Sequence, residues 1–237
     1  MTNSSVHIAD TPTRLVADLA AYLVQHADEV LNRQPFWNWA LSGGSTPLAL
    51  YDWLASHPDT LPWRQIRLYW GDERHVWPTD PASNFGAVRE RLLRHPAIVP
   101  AAVYRWPTEL DPAETLAYYR QVLRPLPRVD GYPQLDLVLL GMGDDGHTAS
   151  LFPGSPQESV TDWVAYGPGP HWHRYTLTYP TLLKARQLVM LVTGAAKAAL
   201  VKACLSDPEA PYPAARLYRQ APHMLWFLDA EAAQALT

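Results

Sequence analysis

Four short polar clusters hold most of the side chains in this 237-residue chain that could do chemistry. Gly141-Met142-Gly143-Asp144-Asp145-Gly146-His147 sets a histidine two positions after an aspartate, and such a carboxylate can hold an imidazole in one tautomer and make it a general base. Ser42-Gly43-Gly44-Ser45-Thr46-Pro47 puts a glycine pair before a helix-opening proline, so backbone N–H groups there can point at an anion near a positive helix end. Asp72-Glu73-Arg74 and Thr193-Gly194-Ala195-Ala196-Lys197 add an arginine and a lysine, a bidentate fork and a point charge that both suit phosphate. Each cluster also has a plainer reading: a tight turn with Thr46 as helix cap, solvated surface charges, and a loop histidine.

Other motifs carry less. Residues 141–146 fit G-x-G-x-x-G, but Pro153 and Pro156 cut short the helix that dinucleotide binding needs, and Asp162 precedes an apolar run instead of ending one. His171 and His173 would share one side of a strand as a metal pair, yet no third ligand pattern lies nearby, so no metal is expected. Cys204, the single cysteine, excludes an intrachain disulfide and reads as a small buried hydrophobe. No G-x-S-x-G elbow occurs.

The elements that must position these clusters alternate between strand and helix. Thr11-Pro12 starts an amphipathic helix reaching about Leu31, with Leu15, Leu19 and Leu23 on one stripe. Phe36 to Leu41 is an aromatic-rich strand running into the 42–46 loop, and Pro47 opens a helix through Leu54. Ile66 to Trp70 repeats the pattern, ending at a polar 71–74 loop before a helix that Ser83 can cap and that reaches about Arg94. Ala102 to Trp106 pairs with a helix opened by Asp111-Pro112, where Glu114 completes a capping-box spacing. Leu135 to Leu140 is almost wholly apolar and reads as a central strand before the histidine loop. Between Ser155 and Pro180 strands follow without an intervening helix, as an antiparallel side element. Gln187 to Val192 and His223 to Leu228 close the series, the first followed by an alanine-rich helix carrying Lys197 and the last by a short terminal helix.

This alternation predicts an α/β fold: a doubly wound, mostly parallel, Rossmann-like sheet with helices on both faces and a small antiparallel side element. Ligands of such sheets bind beyond the carboxyl ends of the strands, so the four loops should share one edge and form the site. The expected organisation is one domain over residues 1–237, with no linker or internal repeat. The formal charge of −4 and the scattered arginines argue against nucleic acid. No uncharged run approaches the length of a spanning helix, so no membrane is expected. The first stretch lacks a basic leader, which with the lone cysteine makes the cytoplasm the expected location.

Taken together, the residues resemble the 6-phosphogluconolactonase family. The resemblance rests on Ser42-Gly43-Gly44-Ser45-Thr46-Pro47, on Asp72-Glu73-Arg74 with Val76-Trp77-Pro78 and Ser83-Asn84, and on the block from Gly141 through His147 to Thr148-Ala149-Ser150-Leu151-Phe152-Pro153-Gly154. Arg174-Tyr175-Thr176-Leu177-Thr178, Thr193 to Lys197 and Trp226-Phe227-Leu228-Asp229 extend it, in the family's order, over nearly the whole chain. Gly71 and Tyr175 are minor departures from the pattern. The related glucosamine-6-phosphate deaminases follow the histidine with Ile-Ala-Phe-Asn-Glu-Pro-Gly; the missing glutamate here favours the lactonase.

The resemblance implies hydrolysis of 6-phospho-D-glucono-1,5-lactone to 6-phospho-D-gluconate, a step of the oxidative pentose phosphate pathway, with no cofactor. His147 would take a proton from the attacking water and Asp145 would orient it. Gly43, Gly44, Ser45 and Thr46, with Arg74, Arg174 and Lys197, would hold the phosphate and the ring. In the deaminases the carboxylate that matches Asp72 acts as a base; the resemblance implies that Asp72 here only positions substrate or Arg74. The partner is the small sugar-phosphate lactone, and the chain is expected as a monomer, with a homodimer left open. The rival readings are an amino-sugar phosphate deaminase and a non-catalytic sugar-phosphate sensor.

Overall fold

The computed structural model describes residues 6–221 and 223–236; the reading of the N-terminal stretch as lacking a leader lies partly on residues 1–5, outside that range. Seven strands form a wholly parallel sheet: β1 (Val6–Ala9), β2 (Trp37–Leu41), β3 (Ile66–Trp70), β5 (Ala102–Tyr104), β8 (Leu137–Leu140), β11 (Gln187–Val192) and β12 (Leu225–Asp229). A second sheet joins β4 (Asp72–Arg74), β9 (Val164–Gly167) and β10 (Arg174–Leu177) antiparallel, and β6 (Arg128–Val129) with β7 (Tyr132–Pro133) makes a short hairpin. The helices are α1 (Pro12–Leu31), α2 (Ser45–Ser56), α3 (Asn84–Val88, continued by a π turn over Arg89–Leu93), α4 (Pro112–Leu123), α5 (Tyr179–Leu183), α6 (Ala198–Ser206), α7 (Pro213–Gln220) and α8 (Ala230–Ala233).

The sheet order is β1-β12-β11-β8-β2-β3-β5. Its central strand, β8, is Leu-Val-Leu-Leu and wholly buried, as a strand covered on both faces must be. From β2 the chain moves outward through β3 to β5, and from β8 it moves the other way through β11 to β12. Right-handed crossovers running in opposite directions place their helices on opposite faces. The packing agrees, since α1 lies against α2 while α6 lies against α7 and α8. The direction changes between β2 and β8, so the loops that leave these two strands diverge and open a crevice between them.

Local chemistry explains the element ends. Thr11 caps α1 by accepting from the Arg14 N–H at 3.2 Å, and Pro12 occupies the first helical position. Asp111 caps α4 through the Glu114 N–H. Tryptophans 37, 39, 70, 106 and 226 are buried in the core. Cys204 is also buried, its sulfur 3.9 Å from the Met142 sulfur, and burial pushes its thiol up to about 11. No helix among the described residues is long and apolar enough to cross a membrane.

Three local expectations change. Asp72-Glu73-Arg74 is strand β4 and not a loop, because its backbone pairs with β10 in the register Arg74↔Arg174 and Asp72↔Thr176. Gly44, at φ +97°, caps α2 in place of Thr46, a conformation that glycine reaches without a Cβ clash; the Thr46 hydroxyl lies 2.9 Å from the Thr193 hydroxyl. Tyr179 opens α5 and does not extend the preceding strand, since Pro180 follows it and favours a helix start. Strand β1, the β6–β7 hairpin and α7 are additions that the periodicity did not predict.

Period-two alternation in β4 turns Asp72 and Arg74 one way and Glu73 the other. Glu73 is buried, and its carboxylate accepts from the N–H groups of Arg74, Asn84 and Phe85 at 2.7 Å each and from the Ser83 hydroxyl at 3.1 Å. Burial pushes this carboxyl up to about 7, against those backbone bonds, which favour the anion. Glu73 therefore ties the start of α3 to β4. Replacing Glu73 by Gln puts an N–H where an acceptor is needed; unfolding experiments should show a loss of about 1–3 kcal/mol with a lowered Tm.

Candidate active site

A cavity of about 370 Å³ opens at the carboxyl edge of the sheet, and all four polar clusters reach it. Its wall includes Gly43, Gly44, Ser45, Thr46, Asp72, Arg74, His147, Arg174 and Lys197. Of the catalytic and phosphate-binding residues that the resemblance implies, Asp145 alone does not line the cavity; it touches His147.

The histidine loop folds back on itself. The Gly143 N–H donates to the His147 carbonyl at 2.9 Å and the Gly146 N–H to the Gly143 carbonyl at 3.1 Å. Glycine is required at 143 because a Cβ there would sit 2.1 Å from the imidazole Nδ1. No regular helix follows: the next is a short 3-10 turn at Pro156–Ser159, which is not the geometry of a dinucleotide loop. His147 Nδ1 lies 2.5 Å from Asp145 Oδ1, and the His147 backbone N–H donates to the same oxygen at 3.1 Å. Burial opposes the Asp145 charge, but these hydrogen bonds and the imidazole outweigh it and hold the carboxyl below the usual carboxylate range. With Nδ1–H committed to a carboxylate, Nε2 carries the lone pair. The Phe152 ring packs against the imidazole with centroids 4.5 Å apart.

The rest of the cavity wall is rich in cations. The 42–46 loop ends at α2, whose first N–H groups have no partner within the helix and carry its positive end. Arg74 and Arg174 are register partners on adjacent strands. One Arg74 Nη donates to the Ala82 carbonyl at 2.6 Å, while the Nε atoms of both arginines are buried without a partner. Arg174 is 7% exposed, its guanidinium flanked by Phe152 and Trp172 at 5.6 and 5.9 Å. Burial lowers its pKa, with Asp72 opposing that shift. Lys197 pairs with Asp144, whose side chain is 92% exposed; the hydrogen bond and charge of Lys197 hold Asp144 below the usual range.

Asp72 sits between these groups. Its Oδ2 accepts from the Ser150 hydroxyl at 2.6 Å, and Asn84 Nδ2 donates to its carbonyl at 3.0 Å and its Oδ1 at 3.3 Å. Ser150 is held in turn by its N–H on the Thr176 hydroxyl at 3.2 Å, and Ala149 before it adopts a left-handed φ of +48°, a conformation uncommon outside glycine and concentrated at functional sites. Ser42, Asn84, Ala149, Ser150 and Thr193 were not singled out from the sequence as site residues. Asn84 and Ser150 lay inside the quoted motifs, but only the fold shows that both reach Asp72. His171 and His173 lie outside the cavity wall, with the His173 ring stacked on Tyr166 at 5.3 Å. Among the described residues no group of three or more His, Cys, Asp or Glu is placed to hold a metal ion.

The arrangement can grip an anionic group and offer an oriented imidazole within one cavity. The family described as glucosamine-6-phosphate isomerases/6-phosphogluconolactonase matches residues 10–226. Relatives called 6-phosphogluconolactonase include one from Synechocystis sp., 40% identical over 83% of each chain, and one from Nostoc sp., 35% identical over 98% of each chain. The solved structure of a 6-phosphogluconolactonase from Trypanosoma brucei superposes with a TM-score of 0.86 at 32% identity, covering 98% of both chains. On these likenesses the chain belongs to the glucosamine-6-phosphate isomerase/6-phosphogluconolactonase family.

Proposed function

We propose that the chain, acting as one unit, hydrolyses 6-phospho-D-glucono-1,5-lactone to 6-phospho-D-gluconate, a step of the oxidative pentose phosphate pathway. The observation that carries this reading is that His147, held by Asp145, lines one cavity together with Arg74, Arg174 and Lys197. The names of the relatives support it.

The substrate phosphate binds at the 42–46 loop with Lys197 and the arginines, which fixes the ring so that its carbonyl carbon faces His147. His147 Nε2 takes a proton from a water molecule as the water oxygen attacks that carbon. The charge that develops on the carbonyl oxygen is stabilised by those cavity donors that the phosphate leaves free. The tetrahedral intermediate then collapses: the bond to the ring oxygen breaks, that oxygen takes the proton from the imidazolium, and the new carboxylic acid ionises into solvent. A lactone is an activated ester, so a positioned base and an orienting grip are sufficient for this chemistry. The stretch after His147, Thr148-Ala149-Ser150-Leu151, holds no carboxylate, which disfavours the deaminase.

Proton release from freshly prepared lactone tests the proposal. Wild-type protein should accelerate it above the spontaneous rate in the presence of a chelator, and His147→Ala should lower kcat by about 100-fold or more. A wild type that only matches the spontaneous rate while binding 6-phosphogluconate would point to the sensor; ammonia release from glucosamine 6-phosphate would point to the deaminase. Asp145 stays ionised above its lowered pKa, so its charge does not change near neutrality. Replacing that charge by a neutral amide in D145N should lower kcat without abolishing binding.

The cationic wall makes two further predictions. Arg74→Ala should cost about 2–3 kcal/mol in kcat/KM, carried mainly by KM, as the loss of a charge-assisted contact. Asp144 competes for Lys197 in the free protein, so D144N should lower KM about two- to fivefold at low salt, the range of an exposed ion pair, and the gain should fade as salt rises.

A further inference from the structure

Asn84 is 2% exposed and borders the cavity, yet its side-chain oxygen has no hydrogen-bond partner. The amide cannot be turned round to relieve this, because Nδ2 already donates to the Asp72 carbonyl and carboxylate and an oxygen there would face two acceptors. The unpartnered Oδ1 instead lies against the backbone of Gly43: a Cβ on that glycine would sit 1.8 Å from it and 2.4 Å from the carboxamide carbon. A buried acceptor without a donor is unfavourable, and here it marks a side chain held in place by its surroundings. Asp72 holds the carboxamide, and Glu73 holds the backbone that carries it through the Asn84 N–H and the neighbouring Ser83 and Phe85.

We infer that Asn84 is a positioning residue that wedges the 42–46 loop at a fixed distance from Asp72, so that the phosphate end and the ring end of the site keep one separation. The inference rests on the proposed use of that loop for phosphate. It also explains the glycine at 43 on steric grounds, since any side chain there collides with the wedge.

The test combines N84A, G43A and the double variant, with lactone hydrolysis, calorimetric binding of 6-phosphogluconate and Tm as readouts. N84A should lower kcat/KM by about 100-fold, through both kcat and KM, the cost of a misplacement near 1 Å, and should weaken 6-phosphogluconate binding. G43A should be at least as impaired. In the double variant the added methyl has room, so it should exceed G43A alone by about tenfold in kcat/KM, a non-additivity that independent sites do not show. N84A with wild-type kinetics and only a lowered Tm would overturn the inference, as would a double variant no more active than G43A. A wild type that neither hydrolyses the lactone nor binds 6-phosphogluconate would instead overturn the proposed function, and this inference with it.

Discussion

Parallel pairing of β2 with β8, at the point where the crossovers change direction, is the constraint on which the site depends. Two buried strands lie side by side there, yet the chain leaves them towards opposite faces, so no connection covers the gap beyond their ends. The 42–46 loop fills one side of that gap and the histidine loop the other. Both need glycine for reasons of contact: Gly43 because Asn84 abuts it, Gly143 because the imidazole lies over it. The apolar character of the two strands and the glycines that follow them are two consequences of one packing arrangement.

The small antiparallel sheet supplies what the parallel sheet cannot. Its β4–β10 register sets Arg74 beside Arg174 and Asp72 beside Thr176, so two cations and a carboxylate face one cavity from adjacent strands. Two like charges held this close cost free energy in the unliganded protein. Asp72, fixed by Ser150 and Asn84, offsets part of that cost, and an anionic ligand would offset more. Behind the strand Glu73 gathers three backbone N–H groups and a hydroxyl. The buried carboxylate thus organises the backbone from which the cavity-facing residues project, without reaching the cavity itself.

Much of this was legible in the residue order. Leu137-Val138-Leu139-Leu140 could only be a strand covered on both faces, and the polar loops after successive strands had to share an edge once the sheet was parallel. The His147–Asp145 contact followed from a spacing of two residues. The misread parts depend on partners far away in the chain. Asp72-Glu73-Arg74 has the composition of a loop and becomes a strand because β10 pairs with it. The roles of Asn84 and Ser150 were hidden for the same reason, since each acts on Asp72 across the fold. The ion pair between Lys197 and Asp144 likewise joins loops that only the sheet brings together.

The central claim is that one cavity holds a phosphate at the 42–46 loop and presents C1 of the same molecule to His147. A crystal structure with 6-phospho-D-gluconate bound tests it most directly. The phosphate should lie on the N–H groups that open α2, with Lys197 turned to it from Asp144, and the product carboxylate about 3 Å from His147 Nε2, within reach of a proton transfer. A product bound in the reverse direction, or an imidazole turned away from the carboxylate with Asp145 released, would contradict it.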